Sequence, residues 1–400
     1  MEKLIGLLGI GLILGLCVLL SNNRRHINWR LVVTGIAIQV VFAFLILKVP
    51  FVRGIFDSLG NGVQSLLDSA KDGVAFVAGE ELAKSKFIFA LVIGGSIIFV
   101  GALTNLLYHF GILQKIVKGL GWALRKSMRI SGAEALSAGA EVFLGQVESQ
   151  LLISRYIKTV TQSELLGIMA CAMATISGSA LVAYVSLGVD PTYLLMASFM
   201  TAPSALVIAK IMVPETDPSA LTREVELADE RTSVNFIDAL ADGARQGYDV
   251  AKNVMVMLIA FIAAVVLFNK ILVGLGSPWT LQEMVGWAFT PVAYILGIPW
   301  DEAVRVGPLL GTKTILNEFI AYVDLTAMQK GAEALSARTL MITTVALCGF
   351  ANLASIAINI GGLTAMAPER KGDIARMGFK ALIAATLASW LTAALAGLFM

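Results

Sequence analysis

Gly311-Thr312-Lys313-Thr314-Ile315-Leu316-Asn317-Glu318-Phe319 sets a lysine, an asparagine and a glutamate inside otherwise apolar sequence. About 170 residues earlier, Gly145-Gln146-Val147-Glu148-Ser149 does the same with a glutamine and a glutamate. Each is followed by a hydrophobic stretch interrupted by polar residues. A carboxylate at membrane depth costs roughly 2.5 to 3.5 kcal/mol even on insertion scales, so two such groups in matching positions imply a use for them. Paired broken segments in two halves of a chain point to a binding site near the bilayer midplane, the pattern of a transporter.

The surrounding composition fits that setting. Of 400 residues 57% are hydrophobic and only 14% charged, and the mean hydropathy is +0.81, far from an average soluble domain. Apolar runs of the length that crosses ~30 Å of hydrocarbon fall near 3–21, 31–48, 87–110, 163–187, 191–213, 253–275, 336–362 and 379–399. The run from Leu4 to Leu20 lacks a basic start and a small-residue cleavage site, so it reads as the first span and not as a cleaved signal. Two further stretches, 131–157 and 303–328, are interrupted by Gly, Glu, Gln, Asn and Lys. They read as re-entrant helical hairpins, because irregular backbone at membrane depth needs protein or a water-filled cavity around it. The expected fold is therefore an all-α polytopic membrane protein: eight transmembrane helices, two re-entrant hairpins in an inverted repeat, and interfacial helices.

Basic residues give the orientation. Arg24, Arg25 and Arg30, then Lys115, Lys118, Arg125, Lys126 and Arg129, then Arg370, Lys371, Arg376 and Lys380 all fall on one side of an eight-span arrangement. The positive-inside rule makes that side cytoplasmic and turns both termini outward. Pro214 to Lys252 is the one long polar connection, acidic through Glu215, Asp217, Glu224, Glu226, Asp229 and Glu230. Within it Phe236, Ile237, Leu240, Ala244, Tyr248 and Ala251 recur at helical spacing, predicting an interfacial amphipathic helix over 233–250. Similar stripes predict surface helices over 51–86 and 113–129, with Trp122 as an anchor at the interface.

No catalytic constellation emerges. There are two histidines, His26 and His109, and no Ser-His-Asp set, Walker loop or metal motif can be assembled. The reading is not an enzyme. Cys17, Cys171 and Cys348 lie in apolar runs without metal spacing and read as small buried hydrophobes.

Polar residues gather in four places: Glu141, Gln146, Glu148 and Gln150; Thr175, Ser177, Gly178 and Ser179; Lys313, Thr314, Asn317 and Glu318; and Phe350, Asn352, Ser355 and Asn359. The order is hairpin, broken helix, hairpin, broken helix. If the two units insert oppositely, their tips meet near the midplane and offer half-helix ends to a substrate and an ion. Carboxylates and amides beside a flat apolar ring suit a neutral polyol joined to a planar heterocycle. A cation-coupled carrier of another small polar solute is the alternative, and a channel a weaker one, since a pore does not call for two matched polar hairpins.

The run Gly311 to Tyr322 matches the Gly-x-Lys-x-x-x-Asn-Glu-Phe-x-Ala-Tyr signature of the concentrative nucleoside transporter family. Gly145-Gln146-Val147-Glu148 and Phe350-Ala351-Asn352 through Ser355 match further elements, and the chain resembles a bacterial member over almost its whole length. The resemblance implies a homotrimer in the inner membrane that imports nucleosides such as uridine by symport, an elevator-like hairpin domain moving past a scaffold. It implies that Gln146, Val147 and Glu148 address the nucleobase, that Glu318, Asn352 and Ser355 hold the ribose, and that Phe350 and Asn317 lie beside the substrate. The coupling cation maps to Glu141, Leu144, Thr175 and Ile176, with no covalent cofactor. Many sodium-coupled members have Asn at the position of Glu141; the ion is thus H+ or Na+, undecided, with the proton slightly favoured, and Na+ is the metal that those four residues would hold. Val147 stands where some relatives have Thr. The expected organisation is a scaffold of 1–110 and 214–300, with transport parts at 111–213 and 301–400.

Overall fold

A computed structural model describes residues 2–80, 89–217, 233–331 and 334–400. Glu224, Glu226, Asp229 and Glu230 of the acidic connection, and the last part of the 51–86 segment, lie outside the described residues. Those described form helices and turns with no strand.

Three long helices open the chain: α1 (Glu2–Leu19), α2 (Trp29–Lys48) and the amphipathic α3 (Pro50–Ala78). Asn28 caps α2 by accepting from the Leu31 amide, and Pro50 starts α3 where its missing N–H costs nothing. Next comes α4 (Phe89–His109).

A first set of elements follows: α5 (Ile112–Met128), the hairpin arms α6 (Gly132–Glu141) and α7 (Glu148–Leu151), the broken pair α8 (Gln162–Ala174) and α9 (Gly178–Leu187), and α10 (Pro191–Met212). After α11 (Phe236–Gly274) the order repeats. The second set is α12 (Leu281–Ile295), hairpin arms α13 (Trp300–Ile315) and α14 (Glu318–Lys330), broken pair α15 (Ala337–Leu347) and α16 (Leu353–Met366), and α17 (Lys371–Gly397). Even the packing repeats. Gly121 of α5 and Gly139 of α6 let those backbones meet, as Gly286 of α12 and Gly307 of α13 do in the second set; a Cβ at any of the four would fall within 3.1 Å of its neighbour.

Among the described residues seven helices, with α8–α9 counted as one, are long and apolar enough to cross a membrane. The remaining expected span, 336–362, is α15 and α16, each too short alone. The chain is therefore multi-pass.

Three features depart from the sequence reading. The expected interfacial helix over 233–250 and the span over 253–275 are one continuous 39-residue helix, α11. Nothing in the join breaks it: no proline intervenes, Arg245–Asp242 and Lys252–Asp249 pair one turn apart, and Gly243 and Gly247 seat it on Gly101 and Ile98 of α4. Secondly, α12 is a helix between the expected 253–275 span and the second hairpin, where the sequence reading assigns no element; it is started by a reciprocal capping box between Thr280 and Glu283. Thirdly, the second arm of the first hairpin is mostly irregular, a four-residue α7 followed by a 3-10 turn at Ser154–Tyr156. Its last carbonyls, of Ile157 and Val160, are taken by the Arg370 guanidinium at 2.8 and 2.7 Å.

The most buried helices are α6, α8, α10, α15 and α17. Ser204 ties α10 to α17 through a 2.9 Å bond to the Ala388 carbonyl, and Thr392 of α17 donates to Gln39 of α2. All three cysteines are buried and free. This core holds the two helix breaks at the centre of the molecule.

Candidate functional site

Each break has a local cause. After α8, Thr175 is extended and Ser177 caps α9 by accepting from the Ala180 amide. After α15, Gly349 has φ +124°, a backbone conformation that side chains resist, and Asn352 caps α16 by accepting from the Ser355 amide. The breaks cross: the Phe350 amide donates to the Thr175 carbonyl at 3.3 Å, and a Cβ on Gly349 would overlap the Ala174 carbonyl. The tip of the first hairpin joins them, since the Gly178 amide donates to the Phe143 carbonyl at 3.0 Å.

Around this crossing lies a cavity of about 560 Å³. From the first hairpin it is lined by Leu144, Gln146, Val147 and Glu148; from the second by Asn317 and Glu318; and from the α15–α16 break by Phe350, Asn352 and Ser355. The opposite wall is α4 and α11, with Thr104, Asn105, Gln246 and Asn253 among its polar groups. Every residue expected from the sequence to touch the base, the ribose or the neighbouring ring is thus brought to one cavity.

The two carboxylates of the cavity are held differently. Glu318 is buried, with Tyr184 Oη donating to Oε1 at 2.8 Å and Asn352 Nδ2 to Oε2 at 3.1 Å. Glu148 is accessible and folds back over Gly145, where a Cβ would strike its carboxyl group. Gln146 presents a buried Oε1 with no hydrogen-bond partner among the described residues, an acceptor that a ligand donor would satisfy. Asn317 spends its side-chain oxygen on the Ile320 amide as the cap of α14. Val147 lines the cavity and also lies over Gly362 of α16.

Of the four residues expected at the coupling cation, Leu144 lines the cavity and Glu141, Thr175 and Ile176 are buried behind it. Glu141 Oε1 accepts from Ser149 Oγ, and Oε2 lies 3.5 Å from Thr175 Oγ1. A carboxylate and hydroxyls beside the C-terminal end of α8 form an oxygen-rich set of the kind a hard monovalent cation takes.

Tyr184 was not legible as a site residue. It stands among apolar neighbours on α9, and only the fold brings it to Glu318, 134 residues away. Its ring packs on Tyr322 at 4.7 Å. The ion pair of Lys210 with Glu134, 2.6 Å, completed by Ser163, was likewise unforeseen; it ties α6, α8 and α10 outside the cavity. Gln150 donates to Asn359 at 2.9 Å, joining the first hairpin to α16.

A polytopic helical protein with two hairpin tips and two broken helices bringing polar groups to one cavity is a secondary transporter. Comparisons with known proteins agree. Three family models match in succession: the Na+ dependent nucleoside transporter N-terminus over residues 8–81, a nucleoside recognition domain over 90–190, and the Na+ dependent nucleoside transporter C-terminus over 193–397. The nucleoside permease NupC of Helicobacter pylori is 35% identical across 100% of this chain and 98% of its own length. An uncharacterized transporter of Haemophilus influenzae is 43% identical over 100% and 98%. Among solved structures, CNTnw in an inward-facing substrate-bound state superposes with a TM-score of 0.95 at 39% identity, covering 99% of this chain and 98% of that one. A CNTnw variant in an outward-facing state gives 0.93 at 38% identity, over 100% and 98%. The chain belongs to the concentrative nucleoside transporter family. Its function is cation-coupled transport of nucleosides by alternating access.

Proposed function

We propose that this protein is an inner-membrane nucleoside importer of the elevator type. A transport part built from 111–213 and 301–400 carries nucleoside and cation together past a scaffold of 1–110 and 214–300. The observation that carries the reading is the cavity in which Gln146 and Glu148 of one hairpin face Glu318, Asn352 and Ser355 of the other repeat. Glu318 is suited to vicinal hydroxyls: its two oxygens have further lone pairs, and both present partners are neutral donors that leave its charge in place. Gln146, Val147 and Glu148 address the base, with the unpartnered Gln146 Oε1 as the first acceptor. Phe350 lies against the substrate and Asn317 fixes the second tip. The scaffold makes the contacts of a homotrimer, with uridine as a first substrate to test.

The coupling cation binds at Glu141 with Thr175 and the carbonyls of Leu144 and Ile176. Na+ is the first ion to test, because the family models describe Na+ dependent transporters. The proton favoured by the sequence reading rests on Glu141 alone, a carboxylate where neutral Asn is common in sodium-coupled relatives. Counterflow of labelled uridine in proteoliposomes tests the carrier reading: internal unlabelled uridine should drive transient accumulation of label, whereas simple equilibration would mark a channel and defeat the proposal.

A further inference from the structure

Breaking two helices inside the membrane leaves two C-terminal helix ends, each with carbonyls that no further turn can satisfy and each carrying partial negative charge. The two repeats treat these ends in different ways. In the second repeat the buried side chain of Lys313, in the last turn of α13, donates from Nζ to the Ala346 carbonyl at 2.8 Å. Beside it Tyr322 Oη donates to the Thr344 carbonyl at 2.8 Å, and Ser389 Oγ to the Cys348 carbonyl at 3.2 Å. Among the described residues Lys313 makes no ion pair; the charge sits on the helix end itself. In the first repeat the matching end, that of α8, faces Glu141, the last residue of α6. No lysine or arginine among the described residues pairs with Glu141.

In each repeat the arm that precedes the hairpin tip thus carries, in its last turn, an ionisable group to the end of the following half-helix: a carboxylate in one repeat, an ammonium in the other. We infer that Lys313 is a tethered cation, holding in the second repeat the place that a mobile coupling cation takes in the first. The inference rests on the coupling reading of Glu141 given above. It makes Lys313 a positioning residue. Its ammonium holds the end of α15, and through the 348–352 break it holds Asn352 and Glu318 in register for the sugar. It also leaves a single place for a mobile cation, since the second helix end stays charged whether the carrier is loaded or empty.

The test is chemical replacement of the missing ammonium. Uridine binding is measured by calorimetry on purified wild type, Lys313→Ala and Lys313→Met, each with methylammonium chloride and with N-methylglucamine chloride at equal ionic strength. Lys313→Ala should lose affinity ~10-fold or more, and methylammonium, which fits the vacated volume, should restore most of it while the bulky cation does not. Lys313→Met fills the volume without charge, so it should show the same loss and no response. A methionine variant that binds uridine as the wild type does, or an alanine variant indifferent to methylammonium, overturns the inference. If the alanine variant does not fold, purification in methylammonium should recover monodisperse protein, and failure of that recovery overturns it equally. Wild-type uptake that ignored both sodium and pH gradients would instead defeat the coupling reading, leaving the methylammonium response to report on Lys313 alone.

Discussion

Tyr184 Oη lies 2.8 Å from Glu318 Oε1, a hydrogen bond between a half-helix of the first repeat and the hairpin tip of the second. The bond crosses the interface of the two repeats at the point where the sugar is expected. Tyr184→Phe removes one donor from a buried carboxylate while keeping the ring against Tyr322. A hydrogen bond to a charged group contributes about 1.5 kcal/mol or more, so the variant should melt at a lower temperature, and uridine affinity should fall about tenfold because Glu318 is no longer held for its ligand. Calorimetry giving wild-type affinity would show that Tyr184 does not prepare Glu318 for its ligand.

Removing the charge should cost more than removing its partner. Glu318→Gln replaces one acceptor oxygen by a donor that faces either Tyr184 or Asn352, both donors already. Loss of charge-assisted bonds to the substrate should lower affinity roughly 10- to 150-fold, with normal expression. Unchanged uridine binding would take Glu318 out of the site.

Val147→Thr introduces a hydroxyl at the cavity position proposed to face the base. One added hydrogen bond contributes ~1 kcal/mol, so the ratio of uridine to adenosine affinity should shift several-fold while discrimination against deoxyribose analogues stays constant. The contact of Val147 with Gly362 supplies a competing outcome. If the hydroxyl turns to α16, a nucleoside panel will keep the same rank and ratios in both proteins.

Coupling is decided by gradients imposed one at a time. With Na+ as the coupling ion, uridine accumulation in proteoliposomes follows an inward sodium gradient and is indifferent to pH; with H+ it follows an inward proton gradient in sodium-free buffer. In either case Glu141→Asn should weaken the wild-type coupling while uridine exchange persists, and in the proton case it should confer a sodium response. Accumulation in the variant identical to wild type under both gradients would remove Glu141 from the cation site.

Gly349→Ala should lower stability by about 2–5 kcal/mol, because it adds both a strained φ and an overlap with the Ala174 carbonyl. A reduced apparent melting temperature in detergent is the readout, and a melting curve matching wild type would mean the crossing is looser than its geometry.

Much of this arrangement is written locally. The break at Thr175 to Ser179 is visible because a hydroxyl cap followed by glycine restarts a helix wherever it occurs, and the run from Gly311 to Tyr322 carries the tip, the cap Asn317 and Glu318 together. What escaped depends on contacts distant in the chain. Leu281 to Ile295 is short, carries Glu283 in its first turn and contains Pro291, so hydropathy misses α12, whose place is set by glycines meeting Pro308 and Thr290. The polar residues Arg245, Asp249 and Lys252 read as the end of one helix and the approach to another, yet the glycine seam with α4 carries α11 straight through. Tyr184 and Ser149 have no local signal, and their roles exist only once Glu318 and Glu141 are beside them.

The interlocked crossing of the two broken helices has a thermodynamic meaning. With Gly349 pressed on Ala174 and the Phe350 amide bonded to Thr175, neither repeat can shift by a turn without the other. On the proposed reading, a cation seated at Glu141 and a nucleoside seated at Glu318 would therefore share one vehicle. Leakage of either alone would require the whole vehicle to travel half-loaded, and the stoichiometric discipline of such a cycle would reside in the backbone of two loops as much as in the affinity of either seat.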